Sequence, residues 1–501
     1  VSLSSNGSIV AVGAVFNDGE DNLKPDSGHV RVYKSTNIYK NLILKISGTS
    51  LIEQEVVNSS LIKSIKIFAD YKISYNDFDK NFNNSDIIDI LTNDVSYNIL
   101  IPDLPITKII ITTTQDAFMG TPTFTLDGVS ISNELIYVYY EDGVVYNNNN
   151  LLYHIDNQIQ YYHRQLGDDI NGEHASDELG SSVSLSTDGL RVAVGARFNS
   201  NEGNRKGQVR VFELQGGSWF QLGLDIYGEA NDDWFGYSVS LSADGSIVAI
   251  GAIKNDAKGI SSGHTRVYEL QSGSWTKLGQ DIDGESGDQS GFTVSLSSDG
   301  SIVAIGAPTN DGNGTDSGNV RVYKYLGGSW VKLGEDIDGE ANGDWSGYSV
   351  SLSSDGSIVA IGARWNQGNG YRSGHVRVYE LQNGSWMKLG QDIDGEATDD
   401  WSGRAISLSS DGSIVAVGAR LNDGIGSNSG HVRVYELQSG SWMKLGQDID
   451  GEATDDQAGY SVSLSGDGSR VAVGSPFNVV NGSNSGHVRV YELQSGSWAK
   501  L

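Results

Sequence analysis

Cysteine is absent from the 501 residues, and proline and methionine are rare, at 6 and 3 residues. Without cysteine the chain has no disulfide, no thiolate metal site and no cysteine nucleophile. No apolar run approaches the roughly 18 residues that a membrane-spanning helix needs, so direct membrane insertion is not expected. The chain begins at Val1 inside a repeat and without a leader, which suggests a processed or truncated sequence.

Basic residues are scarce relative to acidic ones. The chain has 34 Lys and Arg against 63 Asp and Glu, a formal net charge of -29. A charge of this sign and size repels the phosphate backbone of a nucleic acid. We therefore expect no nucleic-acid partner.

Glycine is abundant, at 64 residues, and much of it belongs to an internal repeat. From Val183 onward, the segment V-S-L-S and its variants return at spacings of 56, 55, 56, 56 and 56 residues. Seven copies are present, and their V-S-L-S segments begin at Val1, Val183, Val239, Val294, Val350, Ile406 and Val462.

Each copy contains four short segments rich in β-branched and aromatic residues and bounded by Gly, Asn or Asp, which is typical of strands and hairpins. The first turn carries Asp-Gly or Asn-Gly in all seven copies, a pair that tolerates positive φ in a tight hairpin. The second segment, such as Ile302–Ala307, is apolar at successive positions. That pattern predicts a strand buried on both faces.

A four-stranded sheet with two apolar faces cannot bury both of them alone, so successive sheets must stack. Stacking around an axis closes at roughly four to eight blades. We predict an all-β fold, a seven-bladed β-propeller of four-stranded blades, in which Val1 and Leu501 come together. An open solenoid is the alternative, although the copies lack the capping features of solenoid ends.

Three segments resemble a known family. They are G-x-S-V-S-L-S in the first strand, I-V-A-I-G-A-P at residues 302–308 and S-G-N-V-R-V-Y at residues 317–323. These segments resemble FG-GAP repeats, which build integrin-type propellers and many secreted microbial proteins. The resemblance implies a seven-bladed ring used for adhesion or ligand binding, usually outside the cell. The family's calcium loop, D-x-D-x-D-G-x-x-D, is reduced here to S-D-G, so the usual metal sites are expected to be missing.

The first copy is interrupted by a segment of different composition. Residues 35–160 hold 4 of the 64 glycines, half of the 6 prolines and no tryptophan. Such a shift marks a domain boundary. We predict strands 1 to 3 of blade 1 at residues 1–34, an inserted β-rich, β-sandwich-like domain at residues 35–160, and the rest of the propeller at residues 161–501.

The connection after each fourth strand reads D-I-D-G-E, followed by a further Asp, in most copies. Two copies supply the candidate ligands Asp281, Asp283, Glu285, Asp288, Asp336, Asp338, Glu340 and Asp344. Carboxylates clustered on a short loop suit calcium, which takes six to eight oxygen ligands. The position of the glycine favours a different interpretation from calcium binding. In that interpretation, these side chains cap turns and accept hydrogen bonds from backbone amides. No cofactor is required, and calcium remains a candidate.

Tryptophan occupies the same place in three of these connections, at Trp234, Trp345 and Trp401, and Trp365 stands in one loop between strands two and three. With Asn310 and Asp311 of the equivalent loop, they are ligand-binding candidates, because an aromatic ring beside polar groups suits a sugar. Packing between blades is the alternative for the repeated tryptophans, and an Asx turn is the alternative for Asn310.

No catalytic residue is identified, because catalysis needs an asymmetric constellation and the blades are nearly identical. We expect a module that is not an enzyme. It would be an extracellular or surface adhesion or structural protein that binds a glycan or a protein through an acidic loop face, with self-assembly into a filament as an extension. The alternative is a glycoside hydrolase or lyase that uses paired loop carboxylates. Asn-x-Ser/Thr sequons permit glycosylation and lie at Asn6, Asn58, Asn83, Asn313, Asn383 and Asn481.

Overall fold

The computed structural model describes residues 1–15, 26–36, 162–201, 203–479 and 485–501, together with nine strands between residues 44 and 151. Two compact units are present, one of residues 1–36 with 163–501 and one of residues 37–162. In the part of the chain that the structure describes, no helix is long and apolar enough to cross a membrane.

The first unit is a ring of seven sheets, which confirms the predicted propeller. In each sheet, or blade, the strands lie in the order one, two, three, four, and the first strands of neighbouring blades contact one another around the axis. In blade 1, the fourth strand comes from beyond residue 160 and completes the sheet.

The second, third and fourth strands have 6, 8 and 4 residues in every blade, whereas the first strands have 2 to 7 residues. The first strands, in blade order, are Ser2–Leu3, Leu179–Leu185, Phe235–Leu241, Thr293–Leu296, Ser346–Leu352, Ser402–Leu408 and Ser461–Leu464. The second strands are Ile9–Ala14, Arg191–Ala196, Ile247–Ala252, Ile302–Ala307, Ile358–Ala363, Ile414–Ala419 and Arg470–Ser475. The third strands are His29–Thr36, Gln208–Gln215, His264–Gln271, Asn319–Leu326, His375–Gln382, His431–Gln438 and His487–Gln494. The fourth strands are Tyr162–Gln165, Ser218–Gln221, Ser274–Lys277, Ser329–Lys332, Ser385–Lys388, Ser441–Lys444 and Ser497–Lys500.

Blades 1 to 6 also carry a short fifth strand that the sequence did not predict. It lies in the acidic connection and pairs with the start of the third strand, as in the register of His375 with Asp394 and Val376 with Ile393. The isoleucine of this strand is buried in each of the six blades. The fifth strands are Ile170–Asn171, Ile226–Tyr227, Ile282–Asp283, Ile337–Asp338, Ile393–Asp394 and Ile449–Asp450.

A circle of backbone hydrogen bonds joins the seven blades at the turns between strands one and two. In each blade, one N–H donates to the same carbonyl position of a neighbouring blade, for example Ser298 N to Ser354 O at 2.7 Å. The circle closes where Gly466 N of blade 7 donates to Ser5 O of blade 1 at 2.6 Å. Its members are Ser5, Thr187, Ala243, Ser298, Ser354, Ser410 and Gly466.

The V-S-L-S segment supplies a second circle. The leucine N–H of each blade donates to the first serine hydroxyl of the blade before it, as from Leu408 to Ser351 Oγ at 3.0 Å. At the seam, Leu3 N donates to Ser463 Oγ at 2.9 Å. Val1 and Leu501 pack against one apolar cluster built from blades 1 and 7, so the predicted meeting of the chain ends is confirmed.

Apolar side chains fill the space between neighbouring blades. Between blades 4 and 5, for example, Val320 and Ile302 pack against Val350 and Val359, all of them buried. The tryptophan of the fourth strand in blades 2 to 7 reaches back across such an interface, and the Trp386 indole donates to Leu333 O at 2.8 Å. The second strands are buried on both faces, as their apolar sequence predicts.

The second unit contains two sheets. One has the order Asn150–Leu151, Val145–Asn147, Ile136–Tyr140, Ile106–Thr113, Ile62–Ala69, and the other has the order Val95–Tyr97, Leu44–Gly48, Pro122–Leu126, Val129–Ser130. Strands Ile136–Tyr140 and Ile106–Thr113 run parallel, and the other paired strands are antiparallel. The description as a β-sandwich stays a prediction.

Glycine in the second strand allows the blades to approach closely, which leads to a first prediction. A Cβ added at Gly306 would overlap the backbone carbonyl of Gly347 in the next blade. Because backbone cannot give way as a side chain does, we expect Gly306→Ala to lower the free energy of unfolding by about 1–3 kcal/mol or more. Gly384→Ala is the control, since a Cβ there meets nothing within 4 Å and only the positive φ of 84° adds a cost. Equal losses for both variants in urea unfolding would contradict close blade contact.

Candidate functional site

The axis of the ring has two different ends. At the end formed by the turns between strands one and two, a cavity of about 240 Å³ is lined by leucine, serine, threonine, alanine and glycine residues from the seven blades. None of the described lining residues is charged. At the opposite end lie the acidic connections and the loops between strands two and three, which we call the loop face. Chemistry-bearing side chains concentrate at the loop face.

Aromatic and arginine side chains surround the axis at the loop face. Along successive first strands, the residue after a conserved glycine position projects toward the same region, and neighbouring rings touch, as between Phe292 and Tyr348 at 4.8 Å. In blade 6 this position is Arg404, whose guanidinium lies 3.6 Å from the centre of the Tyr460 ring. We call one part of this region the central cluster, which consists of Trp345, Tyr348, Arg364, Trp365, Trp401, Arg404, Arg420 and Tyr460.

Arg364 lies at the middle of the central cluster. Its guanidinium carbon is 3.8 Å from the centre of the Tyr348 ring and 4.7 to 5.0 Å from the ring centres of Trp345, Trp365 and Trp401. Four rings at such distances stabilise a cation through their quadrupoles. Burial, together with the charges of Arg404 and Arg420, lowers the pKa of Arg364 to about 10, and Tyr348 opposes the shift.

Arg364, Arg404 and Arg420 have no carboxylate partner among the described residues. Arg404 donates to Tyr460 O at 2.7 Å and Arg420 donates to Gln457 Oε1 at 3.2 Å, both neutral acceptors. The Nε of each of the three arginines is buried without a hydrogen-bond partner. The central cluster is therefore cationic, although the chain as a whole is acidic.

The predicted ligand-binding tryptophans have two different locations. Trp345, Trp365 and Trp401 come together, with ring centres 4.0 Å apart for Trp345 and Trp365 and 6.2 Å apart for Trp365 and Trp401. Trp234 instead meets Phe198 edge-on at 5.0 Å, in another part of the loop face. The indole nitrogens of Trp365 and Trp401 are buried without a partner.

The tryptophans in the connections share a backbone feature that is not specific to the central cluster. Trp234, Trp345 and Trp401 have φ values of 58°, 56° and 55°, in the left-handed region. Gln289 and Gln457 hold the same position in other blades and have φ values of 54° and 52°. The conformation therefore belongs to the repeat and not to a site.

Asn310 and Asp311, also predicted to bind ligand, fix their own loop. The buried Asn310 accepts a hydrogen bond from Gly312 N at 2.8 Å, and Asp311 accepts one from Asp316 N at 2.8 Å. These bonds are Asx-type contacts, which shape turns.

The carboxylates of each acidic connection bind different partners. Asp281 binds Arg266 of its own blade and Lys277, whereas Glu285 binds Arg321 of the next blade. Asp288 accepts from Glu285 N at 3.0 Å, and Asp283 lies 3.7 Å from Lys258. The arrangement links blade to blade.

The next connection repeats this arrangement. Asp336 binds Arg321 and Lys332, Glu340 pairs with Arg377 of the next blade, and Asp344 accepts from Ala341 N and from the Asn366 side chain. Asp338 lies in the fifth strand of its blade. The first Asp and the Glu are neutralised by arginine, and whether calcium binds any of the eight predicted residues stays a prediction.

Acidic groups that could hold a metal ion are nevertheless present. They combine the Glu of one blade with the His and the first Asp of the next, in the sets Glu229, His264, Asp281; Glu340, His375, Asp392; and Glu396, His431, Asp448. The three residues of each set come from three separate segments of the chain. In each set an arginine already pairs with both carboxylates, as Arg377 does with Glu340 and Asp392. A divalent cation would have to displace that guanidinium.

Three of the sequons lie among the described side chains. Asn6 and Asn383 are exposed, and the Asn6 carbonyl accepts from Ser8 N at 2.9 Å. The Asn313 amide nitrogen, the atom that a glycan would modify, donates to Gly339 O at 2.8 Å and to Glu340 O at 3.2 Å. Asn58, Asn83 and Asn481 lie outside the described residues.

The three arginines are the residues that the sequence analysis missed. In the other copies, the position of Arg404 holds an aromatic residue or serine, and the position of Arg364 and Arg420 holds Val15, Arg197, Ile253, Pro308 or Pro476. Comparing the copies position by position would have found Arg404, which stands where tyrosine is most frequent. Arg364 and Arg420 share their residue type with Arg197 and differ from it only in having tryptophan in place of Glu178.

Comparisons with known proteins agree with the repeat. The profile of the FG-GAP repeat matches residues 228–268, 280–323 and 337–379. Among solved structures, the chain is similar to the periplasmic gluconolactonase of Pseudomonas aeruginosa, at 17% identity over 66% of this chain and 86% of that chain, with a TM-score of 0.44. A putative 6-phosphogluconolactonase from Bacteroides uniformis is similar at 13% identity over 69% of this chain and 92% of that chain, with a TM-score of 0.45. No curated protein matches the sequence.

The prediction that the chain is not an enzyme is wrong. It was drawn from the near-identity of the blades, yet both of these similar structures carry the names of lactonases. At these identities and TM-scores, the similarity assigns no reaction to this chain.

The buried histidines of the third strands generate a pH prediction. Burial, together with the nearby Arg377, lowers the pKa of His375 to about 4, and Asp392 and Glu340 oppose the shift. Because the unfolded histidine titrates near 6.5, the unfolded state takes up a proton as the pH falls from about 6.5 to 4, and the fold loses stability in that window. We expect His375→Asn to remove roughly 1–3 kcal/mol of this acid-induced loss, since Asn319 holds the same position in blade 4.

The measurement is urea unfolding at pH 7 and at pH 4.5. His174→Asn, which replaces an exposed histidine, is the control. An identical pH dependence in wild type and His375→Asn would contradict a buried, neutral His375.

Proposed function

Because the chain carries FG-GAP repeats closed into a seven-bladed propeller, we propose that it is an extracellular or surface binding module that takes a glycan at the central cluster of its loop face. The observation that carries the proposal is the meeting of three indole rings, Trp345, Trp365 and Trp401, in the central cluster. Two of these residues come from acidic connections and one from a loop, so the arrangement breaks the symmetry of the ring.

Aromatic rings beside unsatisfied donors suit a sugar. A pyranose ring presents apolar C–H faces that stack on indole, and its hydroxyls accept hydrogen bonds from groups such as the Trp365 and Trp401 indole nitrogens, which have no partner in the protein. The rings are only partly buried, so area remains to be covered. A buried donor without a hydrogen-bond partner destabilises the protein. A ligand that accepts a hydrogen bond from such a donor removes this penalty, which increases its binding affinity.

The surface location of the protein rests on the resemblance to secreted propellers and on the sequons. Glycan binding outside the cell is the role that such a ring supports, and assembly into a filament stays a prediction. A protein ligand is the other class that the sequence predicted. The clustered indoles favour a sugar, because their ring centres lie within 4.0 to 6.2 Å of one another and are not spread over a broad surface of the size that a protein interface requires.

Substitution of one tryptophan tests the site. We expect Trp401→Ala to weaken binding of a glycan at least tenfold, because it removes one stacking face. Binding is first detected on a glycan array that displays neutral and acidic glycans, and the affinity is then measured by calorimetry. Release of reducing sugar is assayed in parallel, which reports turnover.

Trp234→Ala is the matched control, because Trp234 has the same backbone conformation and repeat position but lies outside the central cluster. Its affinity should equal that of wild type. Equal affinities of Trp401→Ala and wild type, or an array without any bound glycan, would refute the proposal.

A further inference from the structure

The central cluster concentrates positive charge, and the described part of the chain supplies no counter-ion to it. Arg364 is only 9% exposed, its Nε has no partner, and no described Asp or Glu forms an ion pair with it or with Arg404 and Arg420. Buried charges are ordinarily paired, because burying an unpaired charge costs several kcal/mol or more. The chain has 63 acidic residues, yet none of those that the structure describes pairs with these arginines.

Blade 2 shows how the same position is neutralised elsewhere in the ring. Arg197, which corresponds to Arg364 and Arg420, pairs with Glu178 at 2.7 Å. In blades 5 and 6 the place of Glu178 is taken by Trp345 and Trp401, so aromatic rings replace the carboxylate. The cations remain while their protein counter-ion is missing.

We propose that the central cluster binds an anionic group of the ligand, the carboxylate of an acidic sugar. The proposal rests on the proposed function and names the ligand class. A planar carboxylate matches the planar donor fork of a guanidinium, and charge-assisted hydrogen bonds of this kind are about twice as strong as neutral ones. The indole N–H groups of Trp365 and Trp401 are further donors without a partner, and the aromatic rings supply stacking faces for the sugar.

The surroundings of the central cluster favour a ligand with one negative charge over a ligand with many. The connections that frame the loop face are acidic, and the whole chain carries a net charge of -29. An extended polyanion would meet this repulsion along its length, whereas a single carboxylate at the axis meets the three arginines. A sugar with one acidic group is therefore the class that fits. The depressed pKa of Arg364 supports the inference, because burial and like charge make this cation costly until an anion neutralises it.

The test compares acidic sugars with their neutral forms by calorimetry. The probes are 3′-sialyllactose and a glucuronate-terminated disaccharide, each beside its methyl ester, in which the same sugar has lost its charge. We expect at least one acid to bind tenfold or more tightly than its ester. Arg364→Gln and Arg420→Gln should each reduce the affinity for the acid to that for the ester. Two variants are used so that the test still stands if one of them does not fold.

Arg197→Gln is the matched control, because it removes an arginine at the same repeat position that is already paired with Glu178. It should keep the preference for the acid. As a measurement independent of sugars, sulfate at constant ionic strength should raise the melting temperature of wild type more than that of Arg364→Gln, since an anion that binds only the folded state stabilises it.

The outcomes separate this inference from the proposed function. Equal binding of acids and esters, unchanged in the two variants, would overturn the anionic site and leave glycan binding intact. A sulfate effect that Arg364→Gln abolishes, with no glycan bound, would keep the anionic site and overturn the proposed function. No binding of any probe and no sulfate effect would overturn both.

Discussion

Closure of the ring between blades 7 and 1 is the constraint on which the rest of the structure depends. A blade with two apolar faces is stable only between two neighbours, so an open ring would expose the faces of its end blades. Here the seam has the same contacts as the other interfaces: Gly466 N meets Ser5 O, Leu3 N meets Ser463 Oγ, and Val1 and Leu501 share a cluster. The loop face is a single surface only because this seam is closed.

Residues that recur in each blade mainly hold the ring together, and the candidate site arises where the recurrence fails. The acidic connections were the most conspicuous feature of the sequence, but their carboxylates bind arginine and asparagine side chains of the blades that they join and backbone amides of the same connection. The central cluster uses departures from the repeat, such as Arg404 in place of tyrosine. Symmetry therefore supplies the scaffold, and its interruption in blades 5 to 7 supplies a cationic, aromatic surface at the axis.

The sequence predicted the ring because period and pattern are local properties: a spacing of 56 residues, a turn at Asp-Gly and an apolar second strand. It missed the fifth strand, since two residues such as Ile393 and Asp394 are too few to show alternation. It placed Trp345 and Trp365 on one face but missed Arg364, whose significance depends on the absent carboxylate. It grouped Asp281 with Glu285 as metal ligands, although neighbours in sequence here point to different blades.

The seam can be tested directly because the chain has no cysteine of its own. A Cβ at Gly466 would lie 3.3 Å from that of Ser5, so the pair Ser5→Cys and Gly466→Cys should form an intramolecular disulfide on mild oxidation, detected by mass spectrometry of the digested monomer. The pair Ser298→Cys and Ser354→Cys joins the same positions of blades 4 and 5, which are consecutive in sequence and would meet even in an open stack. A closed ring predicts both disulfides. A disulfide in the control pair with none at the seam would contradict closure, and with it the shared surface on which the candidate site is built.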